Sequence, residues 1–397
     1  MVESKSDILR VVMIGGYSMD STQIQGGVQA ATKYLVNGLV KIDGLDLHVL
    51  TFKPKGWSGP EQFNKDGVRV HLLPSYPRFE RLQGYRRYQT MVNRKLVTIN
   101  PSLIHAQEAS SDALVSIRSG YSTVITAHGI HSEDAKYVSS FSQRIRFYFD
   151  SLLTERLVIH KAKFLIAISH YVSNYFNSIM RPDVDLEFIP NAVDEGFFKL
   201  MDSSQKPVVL FVGRVIPLKR IHDLVQAFIK IANIIPQAEL RIAGEITSAH
   251  NYVDSIRNLI NQSGLGDRIF LLGERNQKDI LKEYSNCSLV VLPSSQENSP
   301  MVIAQAMAAA KPVVATRVGG VAEMVGLGGE RGLLINVGDI DALAISIIDL
   351  LQNPERRVLI GQAGRAFAIE HYLSESVAQR TYEFYRHISS CERNPLE

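Results

Sequence analysis

Short apolar runs rich in β-branched residues alternate along this chain with amphipathic stretches of helix length. LRVVMIGG, LDLHVLTF, VRVHLLP, LIHAQ, STVITAHG and FLIAISH occupy the first half, and PVVLFVGR, AELRIAGE, IFLLGE, LVVLPSS, PVVATRVGG and GLLIN the second. Runs that are apolar at nearly every position, rather than at every second one, are strands buried on both faces, and the segments between them supply the covering helices. The pattern predicts α/β architecture with parallel sheets, in two doubly wound, Rossmann-like domains. A length of 397 residues suits two cores better than one. The boundary falls near FIPNAVDEGFF, which gives domains of 1–192 and 193–370. Ligands of such sheets sit outside the carboxyl ends of the strands, so the strand ends of the two domains are expected to face each other across one cleft.

Composition narrows this little. With 45% hydrophobic and 21% charged residues the chain reads as globular and soluble. Cys287 and Cys391 have no metal or redox spacing and make no disulfide framework, which fits a reducing, cytoplasmic setting. Glu3 and Asp7 precede only a short apolar run, so neither a secretory signal nor a membrane span is expected. Residues 1–192 hold 22 Lys/Arg against 17 Asp/Glu, a balance of +5, and the rest hold 21 against 23, a balance of −2. That bias is too mild for a nucleic-acid partner but leaves room for an anionic acceptor or membrane surface.

Candidate chemistry gathers at predicted strand ends. In SQENSPMVIAQAMA, Ser299 is read as a helix N-cap and Pro300 as the first helical residue, with Glu297 in the loop before them and Gln305 nearly two turns inside. A helix start there offers free N–H groups and a positive dipole end to a phosphate. In FVGRVIPLKRIHDL, Arg214 and Lys219 follow a strand and precede a helix expected from about Ile221. Fixed cations in that place would stabilise a departing diphosphate, although taken alone they are ordinary surface charges. Gly26 and Gly27 open another helix, where backbone amides can approach an anion; the stretch is not the G-x-G-x-x-G fingerprint, so no nicotinamide cofactor is implied. Two Asp-x-Asp tripeptides, Asp183/Asp185 and Asp339/Asp341, are read as turn and capping residues rather than metal ligands, and His128 with His131 lacks a third ligand. No metal or other cofactor is expected.

A glutamate, seven residues, and a second acidic or amide residue, followed by AMA, a Lys-Pro-Val-Val strand and GGVAE, resembles the donor signature of family 4 retaining glycosyltransferases of the two-domain GT-B fold. The resemblance extends through other blocks over the whole chain. It implies that Glu297 holds hydroxyls of the donor sugar, that position 305 holds the nucleotide ribose, and that Arg214 and Lys219 grip the donor diphosphate. It implies further that Asn298, Ser299, Pro300, Met301 and Val302 line the donor, that Gly26 and Gly27 lie over its phosphates, and that His128 is a wall of the reaction centre. Ser169 and Asn191 match cleft positions, though either could cap a helix or fix a turn. Gly244 and Arg275 stand where the base should lie, and the segment from about 371 to 397 resembles the closing helix that returns to the first domain. Gln305 departs from the family's second glutamate. An amide has one acceptor oxygen and must donate with its nitrogen, so weaker or altered nucleotide preference is expected rather than loss of activity.

The acceptor is the least legible part. A glycan, a lipid-linked glycan or a small molecule would all suit. Residues 78–95 carry Phe79, Leu82, Tyr85, Tyr88 and Met91 at helical spacing among arginines. They are read as a helix, interrupted at Gly84, with its apolar stripe in the core, the alternative being peripheral contact with an anionic membrane. Two further functions keep the same architecture: a nucleotide-sugar epimerase, which would carry extra carboxylates for proton abstraction, and a hinged solute-binding protein, which would require export.

Overall fold

The computed structural model describes residues 8–18, 26–77, 79–137 and 141–393. All twelve apolar runs are strands. The first half contains β1 (Leu9–Ile14), β2 (Leu45–Phe52), β3 (Gln62–Lys65), β4 (Val68–Leu73), β5 (Leu103–Ala106), β6 (Thr123–Ala127), β7 (Phe164–Ala167) and β8 (Asp185–Phe188). They form one sheet in the order β3-β4-β2-β1-β5-β6-β7-β8. The second half contains β9 (Val208–Val212), β10 (Glu239–Ala243), β11 (Ile269–Gly273), β12 (Leu289–Leu292), β13 (Val313–Thr316) and β14 (Gly332–Ile335), in the order β11-β10-β9-β12-β13-β14. Every pairing is parallel except β3 with β4. Parallel pairing demands a covered sheet, and every residue of β5, β6, β7, β12 and β13 is buried accordingly.

β3 and β8 escaped the pattern for one reason. Both are edge strands, QFNK and DLEF, with no fully buried position, and so carry no apolar run.

The chain divides into two compact units. One contains β1, Val28–Ala192 and the helix Ser374–Arg393; the other contains Val193–Leu373, with Gly26 and Gly27 counted to it. Val193 bridges to Leu373, its N–H donating to the Tyr372 carbonyl at 2.8 Å, so the chain enters and leaves the second unit side by side. The last helix packs into the first unit through Val377, Ala378, Phe384, Tyr385 and Ile388. Its Tyr385 hydroxyl meets His105 Nδ1 at 2.6 Å. Among the described residues no helix is long and apolar enough to cross a membrane.

The segment 78–95 breaks at Gly84 as expected, and only the part after the break is helix. Arg78 lies outside the described residues. Phe79, Gly84 and Tyr85 take left-handed backbone angles, so helix begins only at Arg86 and runs to Ile99. Its buried stripe is Tyr88, Val92, Leu96 and Ile99, which belongs to the core of the first unit. Phe79 and Leu82 lie outside the helix and are 72% and 86% exposed.

Candidate active site

The order of the second sheet reverses direction between β9 and β12, which makes the gap beyond their carboxyl ends the switch-point crevice of that unit. Two loops meet there. After β9 the chain turns at Gly213, passes Arg214, makes a single 3₁₀ turn at Pro217–Lys219 and enters the helix Ile221–Ile234. After β12 it runs through residues 293–300 into the helix Met301–Ala308. The Ser295 N–H donates to the Leu218 carbonyl at 2.9 Å and ties the loops together.

Across that tie lies the central contact. Lys219 Nζ donates to Glu297 Oε1 at 2.5 Å, and the Ser294 hydroxyl donates to the same oxygen at 2.6 Å. Both side chains of the ion pair are mostly buried, 17% and 10% exposed. Glu297 Oε1 is thus occupied while the carboxylate retains acceptor capacity, and two of the three ammonium hydrogens remain available for other acceptors. Arg214, exposed on the same loop as Lys219, forms no ion pair among the described residues. The loop after β13 fixes the backbone of Glu297: the Gly320 N–H donates to the Glu297 carbonyl at 3.2 Å, and a Cβ placed on Gly319 would lie 1.7 Å from that oxygen. On the other side of β9, a Cβ on Gly244 would lie 1.9 Å from the Gly213 carbonyl, which explains glycine beyond β10.

The helix start needs a correction. Pro300, not Ser299, is the N-cap, and Met301 is the first helical residue. No side chain caps this end; the Ser299 hydroxyl lies 3.9 Å from Met324 Sδ instead. The leading amides of Met301 and Val302 therefore have no side-chain oxygen in front of them, as an anion at that end would require. Asn298 sits in the loop just ahead. Gln305 is buried, and its Oε1 accepts from the Tyr284 hydroxyl at 3.2 Å, which uses one of the two lone pairs of that oxygen. Arg275 is exposed beyond β11, next to Asn276, whose side chain caps the following helix.

The Asp-x-Asp pairs have structural work. Asp339 caps the helix Ile340–Gln352, Asp341 pairs with Lys230, Asp183 pairs with Arg181, and Asp185 accepts from His387 Nε2 at 2.7 Å. Among the described residues no group of three or more His, Cys, Asp or Glu stands together to hold a metal ion.

The first sheet reverses between β1 and β5. Beyond those strands a Cβ on Gly15, at φ +146°, would come within 3.0 Å of Gln107 Cβ. Gln107 Oε1 lies 2.9 Å from His128 Nε2, so His128 donates from Nε2 and keeps Nδ1 as an acceptor. That Nδ1 is buried without a well-formed hydrogen bond, beside Asn191 in a small cavity lined also by His105, Gln107 and Thr126. Burial pushes the His128 pKa down to about 4, with Glu108 and Asn191 acting weakly the other way. His128 is therefore a neutral, preoriented group at neutral pH.

His131 is its opposite. Burial disfavours its charge, but Glu108, at 3.4 Å from Nε2, and Glu155 hold it as an imidazolium with pKa about 9. It is an internal ion-pair member. Ser169 caps the helix His170–Phe176, accepting from the Val172 N–H. The loop ahead of Gly26, 19–25, lies outside the described residues, and Gly26 and Gly27 begin the helix that ends at Leu39.

Sequence reasoning missed Gln107, Ser294 and Tyr284. Gln107 could have been found: it directly follows β5, the strand beside β1 where the sheet reverses. Ser294 and Tyr284 match no motif and act through contacts of higher order, whereas Gly319 belongs to the GGVAE turn of the donor signature and only its close approach to the Glu297 carbonyl was not legible.

The His128 pKa gives a signed prediction. A histidine whose folded pKa lies below the unfolded 6.5 binds more protons when unfolded, so the neutral ring's contribution is full above pH 6.5 and is lost as pH falls towards 4. The stability gap between wild type and His128→Gln should accordingly shrink by up to about 3 kcal/mol between pH 7 and pH 4 in urea titrations. A gap independent of pH would contradict a neutral buried ring.

Comparison with known proteins agrees with the two-unit α/β fold. Residues 25–197 match the model of Glycosyltransferase Family 4, and residues 193–367 match Glycosyl transferases group 1. N-acetyl-alpha-D-glucosaminyl L-malate synthase of Bacillus anthracis is 26% identical over 249 residues, which are 60% of this chain and 63% of that protein. Sucrose-phosphate synthase of Thermosynechococcus elongatus superposes with a TM-score of 0.79 at 21% identity, over 96% of this chain and all of the other. HepE of Anabaena, solved with UDP-glucose, superposes with a TM-score of 0.73 at 20% identity, over 96% of this chain and all of the other. The fold is GT-B, and neither the epimerase nor the solute-binding alternative is favoured.

Proposed function

Because the chain belongs to the family 4 glycosyltransferases, with a group 1 glycosyltransferase domain as its second half, we propose that it moves a hexose-like sugar from a nucleotide-diphosphate donor to an acceptor hydroxyl without a metal ion. The observation that carries the reading is the Lys219–Glu297 pair at the switch point of the second sheet. The pair holds each group ready for exchange. When a donor enters, Lys219 turns to the diphosphate, and Glu297, freed of it, accepts from hydroxyls of the sugar. Arg214 and the amides of Met301 and Val302 add positive potential around the same phosphates.

Departure of the nucleoside diphosphate breaks the bond from C1 to the phosphate oxygen, and the acceptor oxygen forms the new bond on the same face. The acceptor's proton passes to the leaving phosphate. This front-face displacement retains configuration and needs no side-chain nucleophile. His128, neutral and pointing Nδ1 into its cavity, is suited to accept a hydrogen bond from a substrate hydroxyl in the first unit. The acceptor itself is proposed only as a class: a glycan, lipid-linked or small-molecule hydroxyl.

The test is a thermal-shift and turnover screen against UDP-, GDP- and ADP-sugars, with and without chelator. A donor raises Tm through RT ln(1 + [L]/Kd) and is turned over with chelator present. Activity wholly lost to chelator would overturn the metal-free mechanism. Arg214→Ala should abolish the shift produced by the matching nucleoside diphosphate. In Gln305→Glu the shift should be kept or enlarged, because a carboxylate accepts from both ribose hydroxyls; a smaller shift would mean that the amide nitrogen is the group in use.

A further inference from the structure

The segment from Phe141 to Lys161 is a continuous helical rod: helix Phe141–Asp150, a π-helical turn Ser151–Glu155, and helix Arg156–Lys161. Its middle is turned inside out. Ile145, Tyr148, Phe149 and Leu152, spaced i, i+3, i+4 and i+7, fall on one face and point to solvent, 41%, 53%, 47% and 39% exposed, with Leu153 beside them. Ser151, Thr154 and Glu155 are buried instead.

Polar contacts lock this orientation. The Ser151 hydroxyl donates to Glu155 Oε2 at 2.7 Å, the His131 N–H donates to Glu155 Oε1 at 2.8 Å, and Thr154 Oγ lies 3.1 Å from the Tyr85 hydroxyl. Rolling the rod to hide its apolar face would strand these groups without partners. The Arg81–Asp150 ion pair sets the neighbouring loop, which carries the exposed Phe79 and Leu82, against the rod. An apolar patch of this extent marks a contact surface.

Charge selects what the surface contacts. From Arg144 to Lys163 the chain has five Lys/Arg and two Asp/Glu. Of the two acids, Asp150 is engaged by Arg81 and Glu155 is buried. Arg86 and Arg87 are exposed at the start of the adjoining helix. A second copy docked on the same face by a two-fold axis would set cations against cations. An anionic bilayer offers acyl chains for the aromatic ridge and phosphates for its basic rim. We propose that this face, and not the helix Arg86–Ile99 whose stripe is core, seats the first unit on an anionic lipid surface.

The purified full chain is sedimented with phosphatidylcholine vesicles, with and without phosphatidylglycerol, at low and high salt. Partition into the anionic vesicles only, weakened by salt, is expected. Phe149→Ser with Leu153→Ser should cut that partition about tenfold or more. Arg144→Gln with Arg146→Gln should cut it by roughly fivefold per arginine. Both variants should keep the thermal shift given by nucleoside diphosphate, which separates loss of docking from failure of the donor site. Equal partition into both vesicle types, no partition into either, or unchanged binding by both variants overturns the proposal. So does a dimer in size-exclusion chromatography that the serine variant dissolves.

Discussion

Replacing Lys219 by alanine is expected to lower turnover of the true donor by about 10²–10³ and to abolish the Tm rise produced by its nucleoside diphosphate. The ammonium is held in a mostly buried position by Glu297, on a loop that the Ser295–Leu218 hydrogen bond ties to its neighbour. A preorganised cation costs no reorganisation when negative charge develops, and few water molecules screen it there. Glu297→Gln discriminates between two roles for the pair. If Lys219 acts only by fixing Glu297, the glutamine variant should lose nucleoside-diphosphate binding as well. If Lys219 acts on the diphosphate, that variant should bind the free nucleoside diphosphate normally and lose turnover of the nucleotide sugar. A Lys219→Ala enzyme within tenfold of wild type, with its nucleotide shift intact, would remove the basis of the proposed function.

Gly319→Ala is expected to act on the same carboxylate from behind, destabilising the protein by about 2–4 kcal/mol in urea titrations and removing the response to nucleotide sugar. The added methyl would meet the Glu297 carbonyl at 1.7 Å and the Glu297 carbonyl carbon at 2.9 Å, and neither backbone atom can rotate away. Relief requires the loop carrying Glu297 to shift by more than an ångström, which breaks its contact with Lys219. Gly264→Ala is the control. Gly264 also has positive φ, +69°, but nothing lies within 4 Å of an added Cβ, so only the conformational cost of about 1 kcal/mol applies. Equal losses at the two positions would mean that the Gly319 contact relaxes freely and does not hold Glu297 in place.

What the sequence revealed follows from what burial writes into it. Strands covered on both faces must be apolar throughout, so LVVL and PVVAT announce themselves, whereas QFNK and DLEF at the sheet edges do not. The loops bearing Lys219 and Glu297 were legible as strand ends, but their contact spans 78 residues and appears only once β9 and β12 lie side by side. The stripe from Phe79 to Met91 had the right period and the wrong start, because left-handed Gly84 and Tyr85 delay the helix to Arg86. In the rod Phe141–Lys161 the period itself points the wrong way. Hydrophobic spacing ordinarily marks the face turned inward, yet the hydrogen bonds of Ser151, Thr154 and Glu155 overrule it.

The return of Ser374–Arg393 to the first unit also imposes an order of assembly. His105 waits for Tyr385, 280 residues later, and Lys41 for Glu375. During synthesis the second unit, contiguous from Val193 to Leu373, emerges whole while the first still lacks its final helix. The part of the protein made first is thus the part completed last, and a nascent chain stopped short of Ser374 would carry a finished second unit beside a first one with an open flank.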